Sequence, residues 1–110
     1  MPQEQLLKGV LDIVVLAAVA REESYGYDIV QQLRKSGLEA VGEASVYGTL
    51  RRLEQQRWLS SKLVASTQGP ARRYYRLTAI GGRALDALLR DWHQITDAVD
   101  VVTRNANGRR

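Results

Sequence analysis

The chain has 110 residues, 45% of them apolar, and a formal net charge of +4. That length allows one domain, with a core small enough to gain from an added contact such as a partner subunit. There is no cysteine, which excludes disulfides, thiolate metal sites and cysteine nucleophiles.

Gln3–Ala20 reads as a first helix, with Leu7, Val10, Leu11, Val14 and Ala18 recurring at helical spacing. Its uncharged run, Ile13–Ala20, is too short to span a bilayer. Met1–Gln5 carries no basic residue of the kind that starts a signal peptide. The expectation is a cytoplasmic protein. After the polar turn Arg21-Glu22-Glu23, Ser24 is the expected N-cap of a second helix over Tyr25–Ser36. Tyr25, Ile29 and Leu33 would form its buried stripe, and Gly37 suits the left-handed residue that ends it.

Leu38–Gly42 is a short connection to a third helix over Glu43–Gln56. Val46, Leu50 and Leu53 share its inward face, and Ser45, Tyr47, Gly48, Thr49, Arg51 and Arg52 lie on the others. Trp58–Val64 alternates like a strand, Ser66–Arg72 with Gly69-Pro70 reads as a turn, and Arg73–Leu77 would pair back. Thr78 is the expected cap of a last helix over Ala79–Val102, with Thr103–Arg110 fraying into a tail. The fold class is therefore mainly α with a small β-hairpin: a winged helix-turn-helix over 1–77 and a C-terminal dimerisation helix over 78–103, with 104–110 as a flexible tail.

Charge is uneven along this plan. Residues 1–42 carry four basic and six acidic side chains, and residues 43–76 carry seven basic and two acidic. The excess falls on the third helix and the hairpin, which points to a polyanion. A helix fits the major groove of duplex DNA. Ser45 and Thr49 can donate to phosphates or bases, and Tyr47 can donate to a phosphate or pack on a thymine methyl. Gly48 costs a helix roughly 1 kcal/mol relative to alanine; close approach of DNA is one reason for it and close packing of another helix is a second. Arg51 and Arg52 suit phosphate or guanine, or else a solvated face with Glu54 or Gln55. Arg72 and Arg73 beside the turn suit a minor groove or the flanking backbone. Tyr74 and Tyr75 face opposite sides of their strand, so one belongs to the core, and Arg76 lies nearer the protein body.

In the last helix, Leu85, Leu88, Trp92, Ile95, Val99 and Val102 are spaced 3, 4, 3, 4 and 3, a heptad seam suited to a second copy or to the chain's own core. Trp92 sits in mid-seam, either as dimer core or as half of a slot for a flat aromatic ligand. His93 has no ligand cluster around it, and Asp86, Asp91, Asp97 and Asp100 read as a solvated face. No nucleophile–base arrangement, phosphate loop or metal spacing is present, so no enzyme, metal or cofactor is expected.

The phrases Leu-Leu-Lys-Gly-Val-Leu-Asp (6–12), Tyr-Gly-Tyr-Asp-Ile (25–29), Ser-Val-Tyr-Gly-Thr-Leu-Arg-Arg-Leu-Glu (45–54) and Arg-Arg-Tyr-Tyr-Arg-Leu-Thr (72–78) are similar to those of the PadR family of transcriptional regulators. Ala79-Ile80-Gly81 resembles the start of that family's final helix. The short length and lone last helix resemble its small subgroup. The resemblance implies a winged-helix homodimer that usually represses transcription and lets go when a small effector binds; the two-fold symmetry of such a dimer predicts a pseudo-palindromic operator. In the drug-sensing members, a tryptophan of the last helix lines a central pore, and Trp92 matches it. By register the resemblance makes Ile13, Ala17, Leu85, Leu88 and Thr96 its candidate neighbours. Gly48 departs from a common proline and Gly42 from a common capping serine. Thr96 stands where some drug sensors carry an acid, which counts against a preference for cationic ligands. Two other functions compete with a DNA-binding repressor: a winged-helix module that binds protein, and a drug-sequestering dimer whose DNA role is secondary.

Overall fold

The structure is a computed structural model and describes residues 2–107. Its elements run α1 (Pro2–Arg21), β1 (Ser24–Tyr25), α2 (Gly26–Lys35), α3 (Glu43–Gln55), β2 (Leu59–Val64), β3 (Arg72–Leu77) and α4 (Ala79–Asn107). The architecture is mainly helical with one three-stranded antiparallel sheet in the order β1-β3-β2.

Leu16, Ile29, Leu50, Leu53 and Leu59 are fully buried, so all three helices of the amino-terminal half and the first hairpin strand close on one core. In α1 the buried side chains are Leu7, Val15, Leu16 and Val19, while Val10, Leu11, Val14 and Ala18 of the expected stripe are only half-buried. The reason is that α1 has more than one neighbour: α2, α3, α4 and β3 all pack on it, so no single stripe describes it.

Ser24 does not cap α2. The N-cap is Tyr25, with no side-chain cap, and Ser24–Tyr25 instead form a short strand pairing with Tyr75 and Tyr74. Ser24 Oγ donates to the Glu22 carbonyl and accepts from Gln32. Tyr25 therefore lies in the sheet, half-buried, rather than in the helix stripe. A two-residue strand has too few positions to show alternation, and only the partner strand defines it.

Both helices of the helix-turn-helix end in the same motif. Gly37, at φ 114°, follows α2; its N–H bonds the Arg34 carbonyl, and Leu38 N–H bonds the Leu33 carbonyl. Arg57 does the same after α3 at φ 65°, with Trp58 N–H on the Leu53 carbonyl. The hairpin then runs in register from Leu59 opposite Leu77 to Val64 opposite Arg72. Tyr75 faces inward and is buried, and Tyr74 faces out.

Thr78 fixes the start of α4. Its hydroxyl accepts from Gly81 N–H at 2.9 Å and donates to the Arg57 carbonyl at 2.7 Å. A Cβ at Gly81 would collide with the Trp58 carbonyl, so only glycine lets α4 rest on the start of the hairpin. The helix then continues to Asn107, past the expected end at Val102. The frayed tail expected from Thr103 is thus helical through residue 107, with the Thr103 hydroxyl folded back on the Val99 carbonyl, and residues 108–110 lie outside the described residues. An apolar period is needed to pack a helix, not to extend one.

Candidate nucleic-acid interface

Val46, Leu50 and Leu53 turn α3 inward, and this rotation decides which of its other residues meet solvent. Ala44, Ser45, Arg51 and Arg52 are exposed, and Tyr47 and Gly48 are half-buried. Thr49 corrects the expectation: it is buried, and its hydroxyl donates to the Ser45 carbonyl at 2.8 Å. It neighbours the apolar stripe of α3, and its one proton is already bonded inside the helix, so it is not a free donor.

The space around Gly48 is open. A Cβ there meets nothing within 4 Å, which removes packing against another helix as the reason for the glycine. Gly26 is the opposite case, because a Cβ there would run into the Tyr47 ring. The Tyr47 ring packs against the first turn of α2 at Gly26, and Tyr25, Gly26, Tyr27, Tyr47, Arg72, Arg73 and Tyr75 line one cleft of about 220 Å³ between α2, α3 and the wing. Burial, followed by Glu43, raises the Tyr47 pKa, and burial followed by Glu54 raises that of Tyr75, against lowering by Arg73 and Arg51. Both hydroxyls therefore remain protonated donors at neutral pH.

The wing arginines are already placed. The Arg72 guanidinium lies 4.5 Å over the Tyr25 ring, whose own centroid is 5.4 Å from that of Tyr74. Arg73 donates to Ser61 Oγ at 3.0 Å, and Ser61 donates to the Glu54 carboxylate at 2.6 Å, which ties the wing to α3. Lys62 and Arg76 add charge on the outer face of the hairpin. Arg52 differs from its neighbour Arg51. Both its terminal nitrogens donate to the Asp12 carboxylate of α1, an ion pair in which Arg52 is 47% and Asp12 34% exposed. Its expected role as a direct DNA contact conflicts with that commitment. The sequence reading missed Asp12, Tyr25, Tyr27 and Ser61, and it paired Glu54 with the arginines of α3 where Glu54 accepts from Ser61; the glycine between two tyrosines at 25–27 was the available sign of a close approach.

A helix with a bare outer face beside a basic, tyrosine-lined wing is an arrangement for duplex DNA. The model of the transcriptional regulator PadR-like family matches residues 15–87 of the chain. The chain belongs to the PadR-like family. A PadR-like transcriptional regulator of Bacillus cereus superposes with a TM-score of 0.80 at 34% identity, covering 90% of this chain and 96% of that one. A PadR family regulator of Eggerthella lenta gives 0.81 at 33% identity, covering 90% and 86%. An uncharacterised protein of Lysinibacillus sphaericus is 27% identical over 103 residues, 92% of this chain and 94% of that one. PadR-like proteins are DNA-binding transcriptional regulators rather than enzymes, and are typically dimers. No helix among the described residues of this PadR-like chain is long and apolar enough to cross a membrane.

The expected seam on α4 of the PadR-like fold divides in two. Leu85 is buried in the core of its own chain and Leu88 packs against it, so neither extends an exposed seam. Trp92, Ile95, Val99 and Val102 are exposed, Val102 at 65%. Of the expected effector residues, Ile13, Leu85 and Leu88 belong to one packed cluster. Ala17 lines a groove of about 470 Å³ between α1 and α2, with Val14, Ala18 and Leu33 below and Arg21 and Lys35 at the rim. Ile13 packs on the core, half-buried, and the Thr96 hydroxyl donates to the His93 carbonyl.

Proposed function

We propose that this PadR-like regulator is a homodimeric, cytoplasmic repressor that releases its operator when a small aromatic or drug-like ligand binds beside Trp92. The observation that carries the reading is the exposed stripe Trp92, Ile95, Val99 and Val102 on a 29-residue helix whose first turns alone pack on the chain's own core. Such a stripe is costly to leave in water, at about 25 cal/mol per Å² of apolar surface. A second copy is the natural cover.

In a two-fold dimer the recognition helices read two half-sites about one helical turn, or a multiple, apart. Ser45, Tyr47, Gly48 and Arg51 of α3 would supply the major-groove side, and Arg72 and Arg73 the wing side. The open space at Gly48 supports close approach of DNA there. An effector bound between the two Trp92 side chains, with Ile13, Ala17, Leu88 and Thr96 nearby, would act by favouring one dimer geometry over another.

The test is selection of bound duplexes from genomic fragments, followed by a salt titration of the recovered site. A pseudo-palindromic duplex bound by two chains with steeply salt-dependent affinity is expected. Trp92→Ala should lose fluorescence-detected binding of a planar aromatic dye and keep operator affinity. Dye binding that survives the substitution would remove Trp92 from the effector site.

A further inference from the structure

Arg52 belongs to the recognition helix and yet faces away from the wing. Ser45 and Arg52 are two helical turns apart, so they share one flank of α3. Ser45 lines a groove with Gln5, Lys8 and Leu11 of α1, and Arg52 grips Asp12 of α1. Arg51 is turned about 100° from Arg52. Its charge reaches the Tyr75 hydroxyl, and it makes no ion pair among the described residues. The two adjacent arginines therefore serve different neighbours.

The packing between α1 and α3 is apolar, built on residues such as Val15, Val46, Leu50 and Leu53. Apolar contact is non-directional and leaves a helix free to roll slightly about its axis. A bidentate guanidinium–carboxylate pair is directional, because two parallel N–H donors must meet two oxygens in one plane. Asp12 and Arg52 lie 40 residues apart in the chain and form such a pair at the edge of that packing. The pair is also neutral, so it contributes little to attraction of phosphate.

We infer that Asp12 and Arg52 are a positioning pair: Arg52 does not touch DNA, but, held by Asp12, it sets the roll of α3 and so the aim of Ser45, Gly48 and Arg51 into the groove. The inference rests on the DNA-binding role of α3 and is independent of the proposed dimer and effector. An exposed pair contributes little to stability, so breaking it leaves the fold intact and changes only the aim.

Direct contact and positioning give opposite results in Asp12→Asn. If Arg52 contacts phosphate, removing its acidic partner frees a positive charge, and binding tightens with a steeper salt dependence. If Arg52 positions, Asp12→Asn and Arg52→Ala each weaken binding to the selected operator duplex by up to about fivefold. Each then leaves the salt slope unchanged, where loss of one phosphate contact would lower it by about 0.9. The double variant should be no weaker than either single one, because one interaction is removed only once. Arg51→Ala is the internal control and should lower the slope. Without any DNA, the amide resonances of Ser45 and Arg51 should shift in Asp12→Asn while thermal melting changes little, so the positioning step is read even if no operator is recovered. Tighter binding in Asp12→Asn, a lower slope in Arg52→Ala, unmoved amides, or equal losses on operator and unrelated duplex would each overturn the inference.

Discussion

A methyl group added at Gly48 meets open space, and one added to the neighbouring helix at Gly26 meets the Tyr47 ring. Gly48→Ala should therefore stabilise the free protein by about 0.8–1 kcal/mol through helix propensity alone. Urea denaturation would measure that gain. If DNA comes close at this point, the same variant binds its operator more weakly, so stability and affinity move in opposite directions. A gain in stability with unchanged affinity would remove Gly48 from the interface. Thr49→Val is the matched control. Its side chain is buried and bonded to the Ser45 carbonyl, so operator affinity should stay within about twofold while stability falls by roughly 1 kcal/mol. These two adjacent residues looked equally suited to DNA in the sequence. They differ because α3 is rolled far enough to bury Thr49, and the roll is decided by what packs on Val46, Leu50 and Leu53.

The wing is held as one piece at the scale of elements. Arg73, Ser61 and Glu54 link β3, β2 and α3, and Arg72 lies over Tyr25 at the head of α2. The combined Arg72→Ala and Arg73→Ala variant should weaken binding to every duplex and lower the salt slope by up to about 1.8, which a filter-binding salt series would read. An unchanged slope would take the wing out of the interface. The hairpin itself was legible, since its strand formers flank a Gly-Pro turn. Its third strand was not, because Ser24–Tyr25 pairs only once α2 has carried it alongside β3. The extended end of α4 was equally hidden: apolar spacing stops at Val102, and the helix runs on to Asn107.

For the whole molecule, the question is what covers the distal half of α4. The chain has principal extents of 61 × 29 × 20 Å, because that helix projects beyond the core. Ile95→Asp with Val99→Asp places charge on the exposed stripe without touching the buried residues of the same chain. Sedimentation should show a monomer, with the fold retained and operator affinity greatly reduced, since two half-sites are no longer bound together. A variant that sediments as the parent does would put the dimer contact elsewhere. The heptad spacing had marked six residues as one seam. The structure divides them, giving Leu85 and Leu88 to the chain's own core and leaving the four later residues outside.

The sequence by itself determined the order of the helices and hairpin strands, the helix-turn-helix with its basic hairpin, and the family. Each of those depends on local chemistry: apolar period, a left-handed glycine at Gly37, a capping threonine at Thr78, and charge gathered between residues 43 and 76. The tertiary structure decided which side chains of those elements remain available. It buried Thr49, committed Arg52 to Asp12, placed Tyr47 against Gly26, and took Leu85 from the seam. Periodicity fixes which residues share a face, but only packing between elements distant in the chain fixes where that face points.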